Sequence, residues 1–150
     1  MTHITQFLTS IQQINQLHES MLKEICRTYH LTLIEAKVIS FLHNNPGKDT
    51  AADIVELRNL PKGNVSQAVQ SLFQKSLLVR AQDGLDRRRI HLSLTPAAEP
   101  IVQSMDALFS DLRDTIFAGI SAQELSLFFQ TNLRILQNTE TAIERRKNHA

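Results

Sequence analysis

Cysteine, glycine, proline and aromatic residues are all scarce in this chain of 150 residues. The one cysteine, Cys26, excludes an internal disulfide and suits a reducing compartment. The four glycines form no phosphate-cradling loop, and neither an HExxH metal motif nor a GxSxG nucleophile elbow occurs. With no nucleophile–base–orienter set to name, the sequence points away from an enzyme, and no cofactor is expected. No run approaches the ~18 consecutive apolar residues of a membrane span. The N-terminus lacks the charged-then-apolar pattern of a secretion signal. The expectation is therefore a cytoplasmic protein without a membrane partner.

What is present is an apolar fraction of 42%, enough to bury a core, in a length that suits one domain. The net charge is +1, but the charges are segregated. Between Arg58 and Arg89 stand seven basic residues (Arg58, Lys62, Lys75, Arg80, Arg87, Arg88 and Arg89) against two acids, Asp83 and Asp86. That segment carries +5 and the remainder −4. A basic segment on an otherwise acidic protein is an electrostatic footprint for a polyanion. Chance clustering of solvated charges is the plainer reading of the charge alone.

Apolar residues recur at three- and four-residue steps from Ile4 through Phe7, Leu8, Ile11, Ile14, Leu17, Met21 and Ile25 to Tyr29, which predicts a helix over 4–29. A second helix is expected over 33–44 and ends at the turn-forming NNPGKD. Thr50, with Asp53 three residues later, starts a short helix that buries Ile54, Val55 and Leu57. Pro61 suits the first position of the next helix, whose inward face is Val65, Ala68, Val69 and Leu72. LLVRAQ, the turn DGLD and the alternating RRRIHLSL read as a two-stranded hairpin with Ile90, Leu92 and Leu94 on one face. Thr95 and Pro96 open a long helix expected to bury Ile101, Val102, Met105, Leu108, Phe109, Leu112, Ile116 and Phe117, and Gly119 stops it. Ser121 and Glu124 form a capping box before a last helix with Leu125, Phe128, Phe129, Leu133, Leu136 and Ile143 on one stripe. The fold class is mainly α with a small β-hairpin. The stripes of the terminal helices exceed what a small central module can cover, which suggests pairing with a second copy.

The segment from about 50 to 76 has the form of a helix-turn-helix, whose second helix lies in the DNA major groove. The outward face of that helix carries Lys62, Gly63, Asn64, Ser66, Gln67, Gln70 and Ser71. Amides of Asn and Gln can pair bidentately with adenine, a lysine at the start can meet phosphate, and Gly63 lets backbone N–H groups approach a phosphate oxygen. For any one glutamine an ordinary solvated position is as good a reading. Beside this helix, Asp86, Arg87, Arg88 and Arg89 at the hairpin tip make a wing. Arginine entering a narrow minor groove gains from its negative potential. Asp86 is expected to fix the direction of Arg88 by a bidentate pair.

The stretch LPKGNVSQAVQSLFQKSLLVRAQDGLDRRRIHLSLT resembles the core of the multiple antibiotic resistance regulator (MarR) family. The resemblance rests on Val65 and Ser66, Leu72, Arg80, Asp83, Asp86, Arg87, Arg88, Leu94 and Thr95, and the flanking helices match in order. It implies one MarR-like domain over 1–150: a winged-helix lobe at about 33–95, and helical dimerisation regions at about 1–30 and 96–147. It further implies a homodimer on a pseudo-palindromic operator of double-stranded DNA, usually as a repressor, with Arg88 in the minor groove. The sequence departs from the family pattern at Ser76, where a glycine usually ends the recognition helix, and at Glu99 and Pro100, which replace a glycine common after the Leu-Thr pair. The alternative function is a winged-helix protein-interaction module of antirepressor type without operator binding. Lys62, Arg87 and Arg88 argue against it.

Many members of that family respond to a small aromatic or phenolic inducer held between the DNA-binding lobe and the dimer helices. With no Trp and one Tyr, a pocket here is expected to be mostly aliphatic with some Phe. Cys26 lies near Lys23, Arg27 and His30, but a plain buried or half-exposed thiol is preferred to a redox sensor, which needs a lowered pKa and access. His18, Cys26, His30 and Glu35 offer zinc-ligand chemistry, but His18 and Cys26 are about two helical turns apart, too far to chelate one ion from one helix. No metal site is expected.

Overall fold

The computed structural model describes residues 1–149. Six α-helices and one hairpin follow in the order α1 (His3–Tyr29), α2 (Leu33–Asn44), α3 (Ala51–Arg58), α4 (Lys62–Gln74), β1 (Leu78–Gln82), β2 (Ile90–Leu94), α5 (Glu99–Ile116) and α6 (Ala122–Asn148). A single 3-10 turn, Pro96–Ala98, separates β2 from α5. Thr95 is therefore not the cap of a long helix. Its hydroxyl donates to the Ser76 carbonyl at 2.6 Å and its N–H to the Leu77 carbonyl at 3.0 Å, fastening the end of β2 to the start of β1. Pro61 likewise sits one residue outside α4, as its N-cap, with no side-chain bond to the helix.

The chain forms two compact units, residues 1–112 and 113–150. In the first, the C-terminal part of α1, α2, α3, α4, the hairpin and α5 as far as Leu112 surround one core containing Leu22, Val38, Ile39, Phe41, Ile54, Val65, Leu72, Leu78 and Met105. Capping boxes start three of the helices: Thr32 with Glu35, Thr50 with Asp53, and Ser121 with Glu124. Each satisfies two otherwise orphaned N–H groups. The hairpin is antiparallel, pairing Leu78 with Leu94, Ala81 with His91 and Gln82 with Ile90. Leu92 is its one buried residue on β2. A two-stranded ribbon is marginal alone; the Leu92 N–H donates to the Asp49 carbonyl at 2.7 Å, tying β2 to the loop before α3.

With few glycines, three helices end on other residues in the left-handed region: His30 after α1 (φ 56°), Asn59 after α3 (φ 50°) and Ser76 just beyond α4 (φ 61°). Asn tolerates this conformation; Ser carries the Cβ penalty that a glycine avoids. After α5, Gly119 supplies it directly (φ 79°).

The apolar stripe of α1 is covered at one end only. Leu22, which the three- and four-residue pattern passes over, and Ile25 are buried, while Ile4, Leu8, Ile11, Ile14 and Leu17 are exposed. On α5 the expected burial holds for Ile101, Val102, Met105, Leu108 and Leu112, but Phe109 is exposed and Ile116 and Phe117 are half-buried. In the second unit, Phe117, Phe128 and Phe129 form a cluster with ring centroids 5.4–5.7 Å apart. No residue of α6 is buried.

Candidate nucleic-acid interface

Helix α4 is amphipathic, and its two faces are cleanly separated. Val65, Ala68, Val69 and Leu72 are buried, while Lys62, Gly63, Asn64, Ser66, Gln67 and Gln70 are exposed. Lys62 and Gly63 occupy the first turn, where N–H groups are free and the helix dipole favours an anion. A Cβ added at Gly63 would meet nothing within 4 Å in the protein, so internal packing does not require a glycine there.

Ser71 is the exception to the expected outward face. It is half-buried, and its hydroxyl donates to Glu35 Oε2 at 3.1 Å. It belongs to an internal brace rather than to the exposed polar face, because the next turn of α4 rotates it toward α2. Glu35 is the hub of that brace. Lys75 Nζ donates to the same oxygen at 2.8 Å, and the Thr32 N–H donates to Oε1 at 2.9 Å. Burial pushes the Glu35 carboxyl up, but the bonds from Lys75, Thr32 and Ser71 outweigh it and hold the group below its ordinary value. The brace thus fixes the C-terminal end of α4 against the start of α2.

Gln70 is also engaged. Its Oε1 accepts from Arg80 Nη2, and the Arg80 guanidinium lies over the Phe73 ring, 4.6 Å from the centroid. Arg80, on β1, therefore meets α4, not the hairpin tip.

The wing tip presents Arg87, Arg88 and Arg89, all exposed. Asp86 does not form the expected bidentate pair with Arg88. Its Oδ1 accepts the Arg88 backbone N–H at 3.0 Å and stands 3.6 Å from Nε, while the Arg88 side chain is 95% exposed. The aspartate shapes the turn and leaves the guanidinium free, as a short loop favours local backbone bonds.

A cluster that hairpin alternation does not reveal lies at the base of the wing. His91 Nδ1 is 2.8 Å from Asp49 Oδ1, and its Nε2 is 2.7 Å from Asp83 Oδ1. The other oxygen of Asp83 accepts the N–H groups of Leu85 and Asp86, both at 2.9 Å. The bonds to Asp83 and then to Asp49 hold the His91 ring above its ordinary value. The His91 bond and the two backbone bonds hold the Asp83 carboxyl far below the carboxylate range.

A cleft of about 560 Å³ opens among α1, α2, the α3–α4 turn and α5. Its walls include Leu22, Leu60 and Phe109, but also His18, Lys37 and Arg58. Its polar wall, where Glu19 also stands 3.6 Å from Lys37 Nζ, departs from the mostly aliphatic pocket expected from the scarcity of aromatics. His18 Nε2 is buried without a hydrogen-bond partner among the described residues, and its ring packs on Phe109 at 5.3 Å. Burial, then Arg58 and Lys37, lower the His18 pKa against the opposing charge of Glu19.

His18, Cys26, His30 and Glu35 are not gathered. Among the described residues no group of three or more His, Cys, Asp or Glu side chains is placed to hold a metal ion. The Cys26 S–H donates to the Thr32 carbonyl at 3.6 Å. Burial, then the Glu35 charge, raise its pKa, opposite to what a reactive thiolate needs. No helix of the described residues is long and apolar enough to cross a membrane.

Residues 30–89 match the model of the MarR family. Among solved structures, the chain is similar to the transcriptional regulator PA3341 (24% identity, TM-score 0.76, covering 90% of this chain and 98% of that one). It is similar to the Staphylococcus aureus MepR of a MepR–DNA complex (19%, 0.66, covering 92% and 98%). It also resembles Bordetella bronchiseptica BpsR, whose DNA binding is regulated by 6-hydroxynicotinic acid (20%, 0.63, covering 87% and 98%). Residues 30–89 thus match the MarR family model, and the chain has the fold of solved MarR-family regulators.

Proposed function

We propose that the protein is a transcription regulator that binds double-stranded DNA as a homodimer, with α4 in the major groove and the wing in the minor groove. The observation that carries this reading is the pairing of an exposed polar face on α4 with an exposed arginine wing tip in one winged helix. Lys62 and the Gly63 N–H meet phosphate. Asn64, Ser66, Gln67 and Gln70 face base edges, and Arg88 enters the minor groove beside Arg87 and Arg89, with Asp86 shaping the turn. The exposed stripes of α1 and α6 suit a second copy, so that two recognition helices read the two halves of a pseudo-palindrome. Repression follows where such a site overlaps a promoter. The similarity to BpsR and the cleft lined by His18, Glu19, Lys37 and Arg58 support release by a small-molecule inducer.

The test is a duplex enriched by the protein from a random-sequence pool. Arg88→Ala should cost about 1–3 kcal/mol of affinity and relax preference at the minor-groove position. Unchanged affinity and preference would refute the wing assignment. An antirepressor-type interaction module would enrich no sequence at all.

A further inference from the structure

The histidine at the base of the wing has a role that goes beyond shaping a hairpin. His91 lies on β2, Asp83 ends the step out of β1, and Asp49 lies in the loop before α3. Both ring nitrogens face a carboxylate oxygen within 2.8 Å. Only the imidazolium has a proton for each nitrogen. The neutral ring has one, so one carboxylate would then face a bare lone pair. The geometry selects the charged ring. Asp83 passes the constraint onward through the N–H groups of Leu85 and Asp86, and Asp86 holds the N–H of Arg88. One series of bonds therefore runs from the helix-turn-helix to the wing arginine.

We propose that His91 is a positioning residue for the wing: its imidazolium, clamped between Asp49 and Asp83, fixes the arginine tip against the helix-turn-helix, and DNA affinity falls when the ring loses its proton. Asp49 and Asp83 are the charged groups that act on the ring, one from the α2–α3 loop and one from the turn that follows β1. Both favour its charged form. The folded ring therefore titrates above the unfolded one, so the clamp is complete below the ordinary histidine value and is lost as pH rises through the higher folded value. The claim about affinity rests on the DNA-binding reading above; the claim about the clamp does not.

Two measurements separate them. In the free protein, nitrogen-15 NMR follows the His91 ring and the amide exchange of Leu85, Asp86 and Arg88 across the titration, with His91→Gln as the reference for base-catalysed exchange. The expected result is a midpoint above the ordinary value and a loss of wing protection at that midpoint, absent in the variant. A midpoint at or below the ordinary value, or identical protection in both proteins, overturns the clamp. Binding to the enriched duplex is then followed over the same range. Wild-type affinity should fall roughly tenfold through the midpoint, about the effect of one wing contact. His91→Gln should bind weakly with a flat profile, and Asp49→Asn should move the midpoint to lower pH. Identical profiles in wild type and both variants overturn the positioning role. Should His91→Gln fail to fold, Asp49→Asn carries both measurements alone. If no duplex is enriched, the DNA-binding reading fails, while the NMR result still decides the clamp.

Discussion

Helices α4 and α6 are both amphipathic, yet they present opposite faces. In α4 the apolar side is buried in the core of its unit, and what remains exposed is amide, hydroxyl and ammonium. In α6 no residue is buried, and one exposed stripe carries Phe128, Phe129, Leu133 and Leu136. One helix has spent its hydrophobic face on folding and offers polar chemistry to a ligand. The other still has its hydrophobic face to offer, which large exposed apolar patches do when a protein partner covers them. The same periodicity thus serves two ends, and only the surrounding packing tells them apart.

The strongest way to break this contrast is to charge the face of α6. Leu133→Glu with Leu136→Glu puts two carboxylates on one side of the helix. In the proposed dimer it would remove about 0.8–1.5 kcal/mol of burial per leucine from each chain, since each side chain is already about half covered. Light scattering should show a monomer, with dissociation strengthened by well over about a hundredfold. A mass unchanged from wild type would assign that face to the chain itself.

Phe41 is 1% exposed in the core beneath α4. Phe41→Ala should cost about 3–5 kcal/mol in chemical denaturation, whereas a single Leu133→Ala in α6 should cost the isolated chain almost nothing. Equal losses would erase the distinction between the two regions. Gly63→Ala sharpens the α4 side. The site has open space for a Cβ, so thermal stability should hold or rise by at most about 1 kcal/mol. DNA affinity should nonetheless fall, because the new Cβ would stand where a phosphate approaches the helix N-terminus, although the N–H itself is kept. The smallest effect is expected at Ser76, where the left-handed backbone follows the end of α4. Ser76→Gly should stabilise by roughly 0.5–1 kcal/mol, the Cβ penalty less the entropy a glycine loses on folding. A destabilisation measured by urea titration would show that the serine makes a contact worth more than its strain.

Much of the fold was legible because local rules and burial agree. Thr50 with Asp53 and Ser121 with Glu124 announce helix starts within four residues, and the buried face of α4 follows from its spacing. What escaped is non-local. His91 reads as an outward residue of an alternating strand, and its partners lie 8 and 42 residues away. Ser71 stands at the edge between the two faces of α4, and only the buried Glu35, 36 residues earlier, turns it inward. Periodicity marks Ile4, Leu8 and Ile11 as one apolar stripe, but it does not say which surface covers them.

Whether α4 and the wing read DNA is decided first by the salt dependence of binding to the enriched duplex. The account predicts sequence-selective binding that weakens steeply with salt, with Lys62→Ala reducing the slope by about one. Binding that is weak, flat in salt and equal on every duplex would contradict it.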